Sequence, residues 1–240
     1  MLSNYLIIVV VLSAAAFISV KAGKLTPVAG ITGWITGLLI FAGTGYAGAA
    51  MLATFFVLGT TATSWGTSVK QKLGLAEKDK GRRTAGQVIA NAGVAALLGT
   101  SSFFYPSKTD VFLLMIAAGF ASAAADTLSS ELGNMYGKNF YNVVTLKKDT
   151  RGLNGVISFE GTAIGLLGSC IIAVVYSLFF SLTIHFLLIV VAGTAGNFTD
   201  SLLGATFERK GYLNNNEVNF LNTAIASLSV LLLLSITNNF

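Results

Sequence analysis

Apolar stretches long enough to cross a lipid bilayer recur along this chain, and they restrict its fold to a bundle of membrane helices. A helix needs about 20 mostly apolar residues to cross the hydrocarbon core. The chain is 54% hydrophobic and 10% charged, whereas soluble domains carry about 25% charged residues. We therefore predict an all-α, polytopic helical bundle. Its eight spans lie near residues 3–20, 28–45, 47–69, 86–104, 111–128, 157–178, 183–203 and 218–237.

Lysine and arginine residues are distributed unevenly between the two sides of such a bundle. If the loops alternate sides, one side holds only Lys108. The other holds fourteen basic residues: Lys21, Lys24, Lys70, Lys72, Lys78, Lys80, Arg82, Arg83, Lys138, Lys147, Lys148, Arg151, Arg209 and Lys210. Since cytoplasmic loops carry an excess of Lys and Arg, we predict cytoplasmic basic loops and external termini, at the inner membrane if the source is bacterial. The excess of positive charge then indicates how the protein is oriented in the membrane, and no nucleic-acid partner is expected.

We expect a single integral membrane domain over residues 1–240, with N-terminal spans in 1–84 and a motif-bearing repeat region in 85–240. The first span lacks a basic leader and a small-residue cleavage site, which favours a retained helix over a signal peptide. Cys170 is the single cysteine, so no disulfide framework or thiolate metal site can form. His185 stands alone in a span, and we expect no catalytic role for it.

An internal repeat places aspartates at the ends of two spans. Residues 119–126 and 193–200 each begin with glycine and end with aspartate, and residues 158–164 and 219–225, which open the following spans, resemble each other. A fainter third copy covers residues 59–68, with glycine in place of the aspartate. The repeat unit would be a helical hairpin, with all copies running parallel. Both aspartates would then lie at one depth near the cytoplasmic face.

Polar residues cluster where the fifth span ends. Helical spacing puts one set of them on one face: Asp126, Ser129, Ser130, Gly133 and Gly137. Carboxylates suit Mg²⁺, which usually binds one or two of them together with substrate phosphates. We therefore predict a metal site with Asp126, Glu131 and Asp200 as ligands, and Glu160 as a fourth catalytic acid. Alternatively, these acids pair with basic loop residues and stabilise packing.

Basic and amide residues would complete such a site. Lys138 and Arg151 each adjoin a glycine in the motif-bearing loop, and Arg83 and Lys210 are further candidates for binding phosphate. Four amides interrupt apolar spans, where they serve either interhelical hydrogen bonding or ligand binding: Gln87, Asn91, Asn197 and Asn222. The chain contains no GxxxxGK[ST] loop, and no GxGxxG pattern follows a strand.

The motifs together resemble those of the integral membrane family that includes plant phytyl-phosphate kinase. The resemblance runs from about Arg82 to the C-terminus. It is carried by Asp126-Thr-Leu-Ser-Ser-Glu-Leu-Gly, Tyr136-Gly-Lys, Arg151-Gly-Leu-Asn-Gly-Val-Ile-Ser-Phe-Glu-Gly-Thr and Gly196-Asn-Phe-Thr-Asp-Ser-Leu-Leu-Gly-Ala. Dolichol and phytol kinases are similar more distantly. This chain has Glu-Gly-Thr-Ala-Ile-Gly where the family pattern has Glu-Gly-Thr-Leu-Ala-Gly.

This resemblance implies a kinase that converts an isoprenoid alkyl monophosphate to the diphosphate, with CTP as donor and Mg²⁺ as cofactor. It implies a site built from the motif residues Asp126, Ser130, Glu131, Lys138, Arg151, Glu160, Asn197 and Asp200. The partners would be the lipid phosphate, the nucleotide and membrane lipid. The glycine-rich spans would also allow packing between two copies in a homo-oligomer.

Two other functions use the same residues. An ion-coupled transporter would also need membrane acids, although transporters commonly have inverted repeats and midplane sites, whereas the repeat here is parallel and its acids lie near one face. A cytidylyltransferase acting on a lipid phosphate would need the same metal and cations as a kinase. A purely structural membrane protein would not need clustered acids.

Overall fold

The computed structural model describes residues 2–75 and 81–237. The helices are α1 (Leu2–Lys21), α2 (Pro27–Ser64), α3 (Thr67–Lys72), α4 (Ala85–Phe104), α5 (Thr109–Leu128), α6 (Asn134–Tyr136), α7 (Phe159–Phe180), α8 (Ile184–Leu203) and α9 (Asn215–Thr237). Two short antiparallel strands, β1 (Tyr141–Asn142) and β2 (Val156–Ile157), form a small sheet. The all-α prediction is confirmed. Lys78 and Lys80 lie outside the described residues.

Within the described ranges, seven helical segments are long and apolar enough to cross a membrane. The longest, α2, has 38 residues and covers two predicted spans. Gly45 interrupts it with φ 62° and ψ −149°, and a Cβ built on Gly37 would lie 3.4 Å from Cδ2 of Leu52. The Lys24 ammonium also donates to Ser64 across 2.6 Å. Because residues at opposite ends of α2 are adjacent, the chain reverses at Gly45; the count of eight crossings stays a prediction.

Helix α5 is the centre of the bundle. In the most apolar part of the helical segment Pro106–Tyr136, 78% of the residues are buried, against 11% for α1. Small residues surround α5, and a Cβ on Gly168 of α7 would lie 3.0 Å from the Ala124 carbonyl oxygen. Close backbone approach of this kind stabilises helix packing in lipid, where the solvent is as apolar as the core. The core also stacks Phe120 on Phe55, with ring centroids 5.8 Å apart.

Helices α5 and α8 end alike. Each continues into a single π-helical turn, Ser129–Gly133 after α5 and Gly204–Glu208 after α8. Turns of this type are frequent at functional sites. The predicted third copy differs, because Gly66 lies beyond the end of α2 in a left-handed turn with φ 62°. The internal repeat itself stays a prediction.

Apart from Lys108, the described basic residues belong to loops that meet at one end of the bundle. The backbone N–H of Arg83 donates to the Lys24 carbonyl across 2.9 Å, and Arg209 donates to the Asn154 carbonyl across 2.6 Å. Lys108 belongs to the α4–α5 connection. There, Ser102 donates to the Gly43 carbonyl near the reversal of α2. The charge asymmetry is thus reproduced in space, while cytoplasmic basic loops and external termini stay predictions.

Candidate functional site

A polar cavity of about 450 Å³ opens at the end of the bundle where the basic loops meet. Its walls come from the ends of α2, α5 and α8, the beginnings of α4, α7 and α9, and the loop before α7. Four acids line it: Asp126, Glu131, Asp200 and Glu208. Other predicted residues also line it: Arg83, Gln87, Asn91, Ser129, Ser130, Gly133 and Asn197. Most of the predicted site therefore shares one cavity.

Asp126 and Asp200 come from different spans and meet in this cavity. Their carboxyl groups lie within hydrogen-bonding reach of each other. Asn222 of α9 donates a 2.8 Å hydrogen bond to Oδ1 of Asp200, and its own Oδ1 accepts from Ser122 of α5 at 3.1 Å. Three helices thus hold Asp200 in place. Asn222 accordingly stabilises the site through Asp200 and is absent from the cavity lining.

The hydroxyls after Asp126 are close to neighbouring acceptors. The Ser129 hydroxyl lies 3.2 Å from Oδ1 of Asn197 and 3.0 Å from the Asp126 carbonyl oxygen, and either can accept its proton. The Ser130 hydroxyl donates to the Thr127 carbonyl across 3.2 Å. Gly133 is buried, and a Cβ at this position would collide with the Gly161 backbone of α7. The glycine therefore allows close packing of α7 beside the cavity.

Glu131 forms an ion pair with a residue that the sequence prediction did not include. Lys70 of α3 donates to its Oε2 across 2.5 Å, and the side chains are only 4% and 10% exposed. The Lys70 ammonium also donates to the Ala62 and Thr63 carbonyls at the end of α2. Glu131 therefore lines the cavity and also stabilises helix packing through its ion pair with Lys70. Nothing in the Lys70 sequence context distinguishes it from the other loop lysines.

Arg83 lies two residues before the start of α4 and lines the cavity. Its backbone is fixed by hydrogen bonds with Lys24 and Thr26, and its guanidinium lies over the Phe55 ring, 5.3 Å from the centroid. The space it occupies exists because Gly59 has no side chain: a Cβ there would overlap the guanidinium. The arginine is therefore positioned by the helices around it.

The loop between α6 and α7 covers one side of the cavity with residues 152–158. Arg209 fastens it, with NH2 2.9 Å from Oδ2 of Asp149 and Nε donating to the Asn154 carbonyl. Asp149 also accepts from the Thr150 backbone N–H at 2.7 Å. The hydrogen bond from Thr150 is the largest cause that lowers the pKa of Asp149, and the hydrogen bond from Arg209 is the next. The loop is therefore docked on the π-helical turn after α8.

Besides Asn222, four predicted residues lie outside the cavity lining: Lys138, Arg151, Glu160 and Lys210. The exposed Lys138 donates its backbone N–H to Glu160 across 3.4 Å, and Lys210 is also exposed. Arg151 donates to the Gly137 carbonyl across 2.9 Å and covers the Phe140 ring at 4.7 Å. Phe140 does line the cavity, so Arg151 is adjacent to it. Their roles stay predictions.

Two amide oxygens in the wall lack a hydrogen-bond partner among the described residues: Oδ1 of Asn91 and Oδ1 of Asn219. The side chains belong to α4 and α9, and the residues are 7% and 8% exposed. An unsatisfied buried acceptor costs about 1–3 kcal/mol, and each of these oxygens is itself almost completely covered by the surrounding protein. The prediction included Asn91. It missed Asn219, along with Glu208, Asn154 and Asn215; the only signal for Asn219 was its place in the repeat.

The donor set suits a hard cation. Asp126 and Asp200 supply carboxylate oxygens, and Mg²⁺ usually needs one or two of these with phosphates and water completing its shell. Across residues 2–75 and 81–237, no group of three or more His, Cys, Asp or Glu side chains converges. A metal here would therefore depend on the substrate for part of its coordination.

Comparison with known proteins supports the membrane assignment. The chain is 33% identical to "Protein VTE6, chloroplastic" of Arabidopsis thaliana over 83% of its length, and it spans 62% of that relative. It is 31% identical to an uncharacterized membrane protein of Synechocystis over 81% of this chain and 76% of the relative. A similar protein from Methanocaldococcus jannaschii is 32% identical, with 80% and 77% covered.

No solved structure matches the chain. The family model described as "Integral membrane protein DUF92" matches residues 10–227. This match confirms the family resemblance indicated by the motifs after Arg82, and it extends that resemblance through the N-terminal spans. The chain belongs to the DUF92 family of integral membrane proteins.

Proposed function

We propose that this protein is a lipid-phosphate kinase, which transfers the terminal phosphoryl group of CTP to an isoprenoid alkyl monophosphate. The observation that carries the proposal is the meeting of Asp126 and Asp200 in a polar cavity at the end of the bundle. Acids inside a membrane helix are costly and mark functional sites. Their position at one end, beside the basic loops, favours a substrate whose headgroup lies at the interface over an ion crossing the midplane.

In this proposal, different residues bind the metal, the lipid phosphate and the nucleotide. Asp126 and Asp200 would hold Mg²⁺, which neutralises charge on the phosphate oxygens when bound. Arg83 would bind the phosphate of the lipid. Asn91 and Asn219 line the cavity, and their oxygens, which lack protein donors among the described residues, would turn toward the nucleotide and accept hydrogen bonds from it. These contacts align donor and acceptor, and positioning is the main protein contribution in this reaction class.

The reaction balances without a general base. The second pKa of a phosphate monoester is about 6, so its attacking oxygen is mostly deprotonated at neutral pH. That oxygen forms a bond to the γ-phosphorus, the bond to the β–γ bridging oxygen breaks, and CDP leaves with the electron pair. The carboxylates therefore serve as metal ligands in this proposal. Of the other predicted acids, Glu131 would support the site from its wall, and Glu160 would act from outside the lining, where it accepts from the Lys138 backbone.

The family resemblance supports the substrate class and the choice of CTP. The basic loops would face the cytoplasm and meet the nucleotide there. The isoprenoid chain would remain in the membrane, and a homo-oligomer is compatible with the exposed apolar helix faces. The chain spans only 62% of VTE6. We therefore base the proposed activity on the residues of this chain and do not transfer it from the whole relative.

Product mass tests the proposal. Purified protein is incubated with Mg²⁺, CTP and a short isoprenyl monophosphate, and we expect the isoprenyl diphosphate and CDP. A CMP-linked lipid with released pyrophosphate would instead establish cytidylyl transfer. Absence of product with any nucleotide, across several lipid phosphates, would overturn the enzyme proposal and favour an ion-coupled transporter, to be tested by ion binding.

A further inference from the structure

A second cavity of about 680 Å³ lies between α1, both halves of α2 and the beginning of α4. Its walls are mostly aliphatic and aromatic, with Leu12, Trp34, Phe56 and Val88 representing the helices that contribute. Among the described residues that line it, Arg83 carries the only charge. We name this cavity the apolar groove.

The apolar groove and the polar cavity share two lining residues, Arg83 and Gln87. Arg83 lies just before α4 and Gln87 lies in its first turn, so both residues stand at the boundary between the two spaces. On one side of Arg83 the walls are hydrocarbon, and on the other lie Asp126 and Asp200. A cation at such a boundary matches a molecule with an anionic head and an apolar tail.

We propose that the apolar groove binds the isoprenoid chain of the lipid monophosphate, with the phosphate held at Arg83. This assignment rests on the proposed function and identifies where its lipid substrate lies. The tail would extend between α1 and α2, away from the acids, while the headgroup enters the polar cavity. Arg83 would then be a substrate-binding residue.

The groove contributes position and selectivity more than affinity. A lipid tail is already removed from water in the bilayer, so the free energy of burying its CH₂ groups is gained in either place. Holding the tail, however, fixes the direction from which the phosphate reaches Arg83, and alignment of reacting groups accelerates transfer. The groove follows α1 from Ser19 to Ile7, which is about 18 Å at 1.5 Å per residue. This length suits a chain of a few isoprene units.

Gly33 provides a way to fill the groove. It lines the space, and a Cβ built on it meets no atom within 4 Å, so a larger side chain enters the groove without colliding with the backbone. Ile35 is a matched control on the same helix, since it is 47% exposed and outside the lining. Gly33→Phe tests occupancy of the groove, and Ile35→Phe tests bulk on the outer face.

Trp34 offers a binding signal that requires no catalysis. It lines the groove, and the second tryptophan, Trp65, lies outside it. In a Trp65→Phe background, a brominated isoprenyl monophosphate is added to detergent-purified protein without nucleotide. We expect saturable quenching of Trp34 fluorescence. Gly33→Phe and Arg83→Gln should each weaken apparent binding at least tenfold, while Ile35→Phe should leave it unchanged.

The outcomes separate this proposal from the proposed function. Equal quenching by a brominated bilayer phospholipid, or quenching unaffected by Gly33→Phe, would overturn the groove assignment even if the diphosphate forms. Saturable, phosphate-dependent quenching with no product from any nucleotide would support the groove and overturn the kinase. A melting temperature for Gly33→Phe close to that of the parent protein shows that the change acts through the groove.

Discussion

The ammonium of Lys70 donates to Oε2 of Glu131 across 2.5 Å, and both side chains are almost fully buried. The same ammonium holds two carbonyl groups at the end of α2. The pair therefore ties the second half of α2 to the π-helical turn after α5. This turn continues the polar motif that begins at Asp126 in α5. A carboxylate predicted to bind metal thus has a structural partner of its own.

Glu131→Gln should reduce stability as well as activity. Removing one partner of a buried ion pair costs about 3–5 kcal/mol, because the other charge stays buried. We expect a clearly lower melting temperature in detergent, and the double variant Lys70→Met/Glu131→Leu should recover part of the loss. If Glu131→Gln instead melts like the parent protein and loses only Mg²⁺-dependent turnover, Glu131 acts as a metal ligand.

Asp126→Asn and Asp200→Asn should each reduce turnover at least a hundredfold while leaving folded protein. The amide keeps the size of the side chain and removes the charge that a metal requires. Turnover of the lipid monophosphate and size-exclusion profiles are measured together. Asp110→Asn is the control, because Asp110 is exposed at the opposite end of α5. Near-parental turnover in both site variants would contradict the metal assignment.

Asn91→Leu and Asn219→Leu should weaken nucleotide binding without destabilising the protein. Each replaces an amide whose oxygen has no partner within the part of the chain that the structure describes, so removing that oxygen breaks no bond. Asn91→Leu does remove the 2.9 Å hydrogen bond from Nδ2 to the Gln87 carbonyl in the same helix. We expect about a tenfold rise in the nucleotide KM and a melting temperature close to that of the parent. Asn139→Leu, an exposed loop change, serves as the control. A large drop in melting temperature would mean that these amides stabilise packing.

The docked loop should become sensitive to acid through Asp149. Its pKa is lowered in the folded protein, first by the Thr150 N–H and then by Arg209. A lowered pKa stabilises the fold at pH values above the unfolded pKa, which is 3.8, and that contribution is lost as pH falls through the folded value. Parent and Asp149→Asn should therefore differ in melting temperature by a constant amount from pH 7 to pH 5. The difference should shrink below about pH 4, and a difference that shrinks already between pH 7 and pH 5 would contradict the assignment.

The meeting of the two aspartates could be anticipated because regular helices make distance predictable. Asp126 and Asp200 follow a glycine at the same interval, and a constant rise per residue converts equal intervals into equal depth. Arg83 also follows from its place directly before a span. Lys138 and Arg151 could not be located in this way, because they belong to an irregular loop. Its path depends on the β1–β2 pairing and on contacts with Arg209.

Hydropathy and charge along the chain alone determined that this is a membrane helical bundle, with its basic loops at one end and its polar motifs beside them. Those properties follow from local physics, because an apolar segment of sufficient length must become a helix in lipid. Only the tertiary structure decided that Glu131 pairs with Lys70, that Asn219 faces the cavity, and that Arg83 lies between a polar and an apolar space. Such contacts join residues distant in sequence, and they depend on how the helices pack, which no local pattern records.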